Sequence, residues 1–445
     1  ASDVAATIRI EPGVPEVNHI TIVPKPETSV RLLIERSPQP GVGPGRTLEL
    51  RMENVGGRFD FVNGKVAMND VTFFFHGAPV QFSSGAVTVE DSGRFALEAS
   101  NLWVKEIRLD SSLRKIMPPL MAQFALRLDD SRPFTARGNL EIGWSGNPGE
   151  PAWCRWNETS VVFIDNKLKA TIPLEHIQGQ LRRVRGWSDG QAIEVNGILE
   201  LASVSFMGQQ ITEVESPFHI ERGVARLDDL QAKLLAGRLR GKGSITLDLT
   251  PKYTASLRLY QAQLEKYTQT LPGRQSFRGS LSAAIDLSGL GSDVRSIQGH
   301  GEAHMAHGDF GELPVALRFV NFLNSNFALF DGPRTSGNTL FDSADVAFLI
   351  DQGTTNLDPI KLTGTAFSLQ GKGIRDPQGN LDLRLRVLYG RDRFHLPVVS
   401  DLLREASGQF FIVHVVGPSA NPKFTPEALP QVQRLGARRS QQIQD

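Results

Sequence analysis

Two Gly-Lys-Gly triplets, a histidine cluster and one cysteine are the residues of this chain whose types and spacing invite chemistry. The triplets, starting at Gly241 and Gly371, look like the end of a phosphate loop, in which backbone N–H groups cradle an anion. Such a loop needs a glycine five residues before the Gly-Lys pair and a Ser or Thr directly after it. Ala236 and Ala366 occupy the first position, and Gly243 and Gly373 the second, so no nucleotide site is expected. On a strand, His300, Glu302 and His304 share a face while His307 points away, and ligation by all three histidines would break the strand. Surface histidines and no metal centre are expected. Cys154, the single cysteine, rules out an internal disulfide and a Cys-based zinc cluster. There is no Gly-x-Ser-x-Gly nucleophile elbow, and no spacing nominates a pair of catalytic acids. The residues thus name no catalytic group and no cofactor.

The 445 residues carry 48 Lys+Arg against 48 Asp+Glu. A zero balance argues against nucleic acid as a partner, because phosphate binding needs clustered excess cations. No apolar run approaches the roughly 18 residues of a membrane-spanning helix. The 42 Gly, 26 Pro and 25 Phe point instead to a turn-rich all-β body, mainly antiparallel.

Strands are the elements that must position side chains here. Residues 65–104 read as short apolar runs broken by His-Gly-Ala-Pro, Ser-Ser-Gly and Asp-Ser-Gly, a turn about every ten residues. Alternation is clean at Ile245, Leu247 and Leu249 before a Thr-Pro-Lys turn, and at Tyr253, Ala255, Leu257 and Leu259 after it. Thr246, Asp248, Ser256 and Arg258 fall on the opposite face. Val346, Phe348 and Ile350 alternate likewise, and Leu381, Leu383, Leu385 and Val387 face away from Asp382, Arg384 and Arg386. The spacing predicts one dry, concave face lined by Ile245, Leu247, Leu249, Leu257, Leu259, Val346, Phe348, Ile350, Leu381, Leu383, Leu385 and Val387.

An apolar-x-Gly pattern recurs around Gly197, Gly241, Gly279, Gly299 and Gly371. A glycine inside a strand marks a bulge, a sharp bend or a close backbone approach. Recurrence predicts a sheet bent at one lateral position by successive strands; the plainer alternative is a short, degenerate motif in a glycine-rich chain. Three segments read as short amphipathic helices: Ser111 to Ala122, interrupted at Pro118-Pro119, then Leu313 to Asn324 and Leu396 to Ala406. These features divide the chain into an N-terminal β segment (1–110), a middle segment opening with a helix (111–250), a C-terminal β region with two helices (251–425) and a basic tail (426–445). The tail's Arg434, Arg438 and Arg439 either meet an anionic surface or stay solvated.

The run FRGSLSAAIDLSGLGSDVRSIQGHGEAHMAHGDFGELPVALRFVNFL, from Phe277 to Leu323, resembles the AsmA-like family of diderm bacterial envelopes. The likeness continues through IKLTGTAFSLQGKGIRDPQGNLDLRLRV and closes on FFIVHVVGPSANPKF. It extends from about Gly197 to Phe424, and before Leu140 it rests on strand rhythm. The resemblance implies an elongated, folded-over β-sheet forming an apolar groove in the periplasm, inner-membrane associated in the full-length protein. Its cargo would be phospholipid or another acyl-chain lipid, bridged between inner and outer membranes in support of outer-membrane biogenesis, with an outer-membrane partner possible. The chain starts at Ala1 without the family's membrane anchor, which implies a removed segment or a fragment.

The residues support that reading on physical grounds. A two-chain lipid leaving a membrane forfeits on the order of 20 kcal/mol, at about 0.8 kcal/mol per methylene, unless apolar surface receives it continuously. Two other readings stand beside it: a structural envelope protein with a filled core, and a carbohydrate-active enzyme on a parallel β-helix.

Overall fold

The computed structural model describes residues 7–8, 19–35, 47–62, 65–89, 94–116, 125–145, 153–168, 174–189, 192–206, 208–248, 250–268, 278–291, 293–309, 342–364, 367–389, 409–419 and 421–428. They form β1 (Thr7–Ile8), β2 (His19–Ile22), β3 (Val30–Glu35), β4 (Thr47–Val62), β5 (Lys65–Phe75), β6 (Ala78–Val89) and β7 (Arg94–Ile107). Helix α1 (Ser111–Ile116) precedes β8 (Phe134–Ser145), β9 (Trp153–Leu168), β10 (Leu174–Ser188), β11 (Ile193–Phe206), β12 (Gln209–Glu221), β13 (Val224–Leu234) and β14 (Gly237–Thr246). Then come β15 (Lys252–Gln263), α2 (Leu264–Thr268), β16 (Arg278–Leu290), β17 (Gln298–Asp309), β18 (Ser343–Asp351), β19 (Thr354–Thr363), β20 (Phe367–Arg375), β21 (Asn380–Tyr389), β22 (Gln409–Pro418) and β23 (Lys423–Ala428). The segments 313–324 and 396–406, read as helices from the sequence, lie outside the described residues.

Two compact units emerge: residues 1–207, 211–230 and 244–251, and residues 208–210, 231–243 and 252–445. In the first, β2 and β3 lie along one edge of β4, and β1 pairs with β2. From β4 to β11 each strand pairs with its successor. In the second, β15 to β23 pair in strict sequence order. All of these pairings are antiparallel, which excludes a parallel β-helix. Short turns make this order natural. His76-Gly77 and Gln352-Gly353 have positive φ at both central positions, the conformation of the two-residue hairpin turn that matches strand twist.

The first unit carries a seam of bulges made mostly by residues other than glycine, with Gly57 of β4 also at positive φ beside a register shift. Asn54, Asp70, Asn101, Glu158 and Arg183 have positive φ inside their strands. On β5 the apolar positions change phase across this seam, from Val66 and Met68 to Val71, Phe73 and Phe75, yet Met68 and Val71 share one core cluster with Phe82 and Ala99. A bulged residue loses its ladder partner and is tolerated only if its N–H finds another acceptor. Asn101 N–H donates to Asn139 Oδ1 at 2.9 Å and Glu158 N–H to Asn157 Oδ1 at 3.0 Å. At two further bulges Glu106 N–H donates to Thr135 Oγ1 at 3.2 Å and Gln261 N–H to Ser282 Oγ at 3.2 Å.

Of the recurrent glycines, Gly279 has positive φ at a register shift between β16 and β17, whereas Gly197, Gly241, Gly299 and Gly371 serve close approach. Gly299 keeps regular register with Leu287 and Ile350, and Gly371 pairs with Leu385 and, beside a bulge of β19, with Ile360. A Cβ on Gly299 would stand 2.7 Å from Leu287 Cδ2, and one on Gly197 would stand 2.8 Å from the Phe218 ring. The neighbouring side chain lies down across the bare backbone.

Helix α1 is described from Ser111 to Ile116. Its Leu113 joins Ala78, Ile107, Leu109 and Ala125 in a buried cluster against Phe75, Val104, Leu128 and Phe134. Asp110 caps the helix, accepting the Leu113 N–H at 2.7 Å, and Arg114 reaches the Leu109 carbonyl and, at 3.6 Å, Asp130. Loss of the cap in Asp110→Ala is expected to cost about 1 kcal/mol, and Asp110→Ser is expected to retain most of that stability. Urea denaturation midpoints of the three proteins measure the difference.

Candidate functional site: two apolar sheet faces

Register alone brings apolar residues of many strands into line, because directly paired residues share a face. In the second unit one row runs Leu257, Ile285, Gly301, Phe348, Leu357, Gly373, Leu383, Val415, Phe424, crossing nine strands. The row beside it runs Leu259, Ala283, Ala303, Val346, Ile360, Gly371, Leu385, Val413. A third is Leu281, Met305, Ala344, Leu362, Leu369, Val387. A fourth starts apolar with Ala255, Leu287, Gly299 and Ile350, and then turns polar at Thr355 and Arg375 before Leu381. Burial deepens toward β20–β22, where Leu369 and Val415 are 2% exposed and Val413 0%.

The nine lining residues read from the sequence that fall in this unit all occupy these rows. Ile245 and Leu247 belong to the first unit, where Leu247 is buried and donates its N–H to the Gly223 carbonyl at 2.7 Å. Leu249 lies outside the described residues. The first unit has an equivalent face: Ile20, Phe61, Val66, Val87, Leu97, Ile142, Cys154, Ser188 and Ile193 form one cross-strand row. Sequence reasoning missed this row because the seam changes the apolar phase within several of its strands.

The opposite face of the second unit carries the polar chemistry. His300, Glu302 and His304 share it, but each histidine has its own carboxylate: His300 Nε2 is 3.5 Å from Asp286 and His304 Nδ1 2.6 Å from Asp345. His414 faces Glu427 at 3.0 Å. Among the described residues no three potential ligands converge on a metal position. Ser282, His304 and Asp345 stand side by side on three strands, in the order of a hydrolytic triad. The Ser282 hydroxyl, however, takes the bulged Gln261 N–H, and the His304 and Asp345 side chains are 55% and 50% exposed, without the dry surroundings that strengthen such a dyad. A shallow depression of about 350 Å³ lies beside them, bounded by Arg258, Glu302 and Lys361 over Ala284 and Ala347.

Cys154 sits in the apolar row of the first unit between Ile142 and Ser188. Burial pushes its thiol up to about 11, only partly opposed by a backbone hydrogen bond from Ser188. About one thiol in a thousand is then ionised at pH 8, and the thiolate is the reactive form. Maleimide labelling at pH 8 is expected to be slow in the native protein and fast after denaturation. Equal rates would show that the row is open to solvent at Cys154.

No helix among the described residues is long and apolar enough to cross a membrane. No curated protein and no solved structure matches the chain. The model of the AsmA family matches residues 167–360. That region begins earlier than the resemblance drawn from the sequence and stops short of the closing FFIVHVVGPSANPKF run. It includes most of the alternating strands that build the uncharged rows from β15 to β18. Over residues 167–360 the chain carries the AsmA-family pattern.

Proposed function

We propose that the apolar faces receive the acyl chains of phospholipids, or of other acyl lipids, and pass them between inner and outer membranes without covalent chemistry. AsmA-like proteins are associated with lipid transport in the cell envelope, and the match over residues 167–360 supports that setting. The observation that carries the reading is the row from Leu257 to Phe424, nine strands wide and without a formal charge. Each methylene that moves onto such a surface keeps about 0.8 kcal/mol that water would otherwise take away. A charge anywhere in the row would interrupt that compensation. On this reading the chain works in the periplasm, associated with the inner membrane and meeting a partner at the outer membrane.

One observation favours a second reading, a structural protein with a filled core: the near-complete burial of Leu369, Val413 and Val415. Lipid transfer between donor and acceptor vesicles separates the two. Leu257→Asp and Leu383→Arg place a hydrated group on the apolar face and are expected to abolish transfer. Arg258→Asp and Arg384→Asp, on the exposed opposite face, are expected to spare it. Thermal denaturation identifies variants that remain folded, and equal transfer by both folded classes would leave the filled core as the better account.

A further inference from the structure

Among the paired positions of the four rows, the apolar face of the second unit has one charge, Arg375. On β20, Leu369, Gly371, Gly373 and Arg375 follow each other at two-residue spacing and occupy the same side of the sheet. Arg375 ends that series at the margin of the face, where its cross-strand neighbours are Thr355 and Leu381. The guanidinium is exposed and makes no ion pair with any described residue. The nearest carboxylate in the chain, Asp376, is occupied by the Asn380 side chain and by backbone N–H groups of the turn, which hold its carboxyl below the usual range. Thr355 places a hydroxyl on the strand beside it. On the other side of the middle rows, Leu281, Met305, Ala344, Leu362, Leu369 and Val387 offer neither charge nor hydroxyl. Within these four rows the face is uncharged through its middle and cationic where Arg375 stands.

We propose that Arg375, assisted by Thr355, holds the phosphate of a lipid headgroup at that margin while the acyl chains lie on the uncharged rows. The inference rests on the lipid-transfer reading and narrows it: the cargo is a phospholipid carried in one orientation. Chemistry favours a phosphate diester as the occupant. A planar guanidinium donates two parallel hydrogen bonds to phosphate oxygens, which the point charge of lysine cannot reproduce. A threonine hydroxyl can donate a third. A phosphate tethered to two acyl chains also brings its charge to this edge whenever the chains occupy the rows, so a single contact suffices to fix its orientation.

The test measures extraction of two fluorescent lipids with identical chains, phosphatidylglycerol and diacylglycerol, from phosphatidylcholine vesicles by the full chain. Arg375→Gln is expected to lower phosphatidylglycerol extraction about tenfold and to leave diacylglycerol within about twofold, with Arg375→Lys in between. Arg386→Gln, a charge removal on the opposite face, is expected to change neither. Equal loss of both lipids in Arg375→Gln, or loss of neither, overturns the headgroup role and leaves lipid transfer standing. Failure of the unaltered protein to extract either lipid overturns both proposals together. Calorimetry with inorganic phosphate alone separates the remaining source of the same chemistry: binding by the unaltered chain that Arg375→Gln abolishes would identify a free-anion site and overturn the lipid assignment.

Discussion

Side chains alternate across a strand, so a slip of one residue in any pairing would exchange the two faces of every strand beyond it. The chain has no disulfide to prevent such slips, since Cys154 is its only cysteine. What prevents them is the asymmetry of the faces themselves. In the second unit a slip at β20–β21 would turn Leu383 and Leu385 to water and bring Arg384 and Arg386 against the Val413 and Val415 side. The cost of burying those guanidiniums far exceeds that of a lost ladder hydrogen bond. Register, apolar rows and the uncharged surface are one constraint viewed at three scales.

The bulges of the first unit show how the chain bends without losing that constraint. Each inserts a residue whose side chain remains in water and whose conformation an L-residue adopts at a cost. An orphaned N–H at such a point would add about 1–3 kcal/mol. Asn139, Thr135 and Asn157 supply the missing acceptors, so the bend carries mainly its conformational cost. The glycines do complementary work on the faces. Where Gly289 stands beside Tyr253 and Gly143 beside Trp153, the large ring occupies the space of the absent Cβ, and contact is kept without raising the height of the surface.

Much of this was legible from the sequence where one phase of alternation persists through a whole strand. Leu381 to Val387 share one side of the sheet, as do Val346 to Ile350, in the alternation read from the sequence. Legibility failed where the phase changes. On β5 a strict two-residue period assigns Val66 and Val71 to opposite faces, and only the conformation of Asp70 reunites them. No residue type announces that conformation: Asn, Asp, Glu and Arg all adopt it here. Glycine recurrence flagged special backbone positions of two kinds, a shifted register at Gly279 and an overlain backbone at Gly197, Gly241, Gly299 and Gly371, which sequence alone does not distinguish. The parity that places Arg375 on the side of Gly373 and Gly371 was present in the text, but the apolar alternation used to find the face does not single out an arginine. The histidines were grouped by nearness in sequence, whereas the sheet groups them with acids 14 and 41 positions away, Asp286 and Asp345.

Strict neighbour-to-neighbour pairing also governs how such a chain can change length. Among the described residues, β15 to β23 pair in strict sequence order, so stability there is close to a sum of local terms, as in a linear array. Removing one strand would reverse the direction of everything downstream and present each following strand by the wrong edge. Removing a hairpin would restore direction, faces and rows together. Insertions and deletions in this part of the protein should therefore arrive in pairs of strands, and a lineage could lengthen or shorten its sheet by whole hairpins while every surviving residue keeps its place.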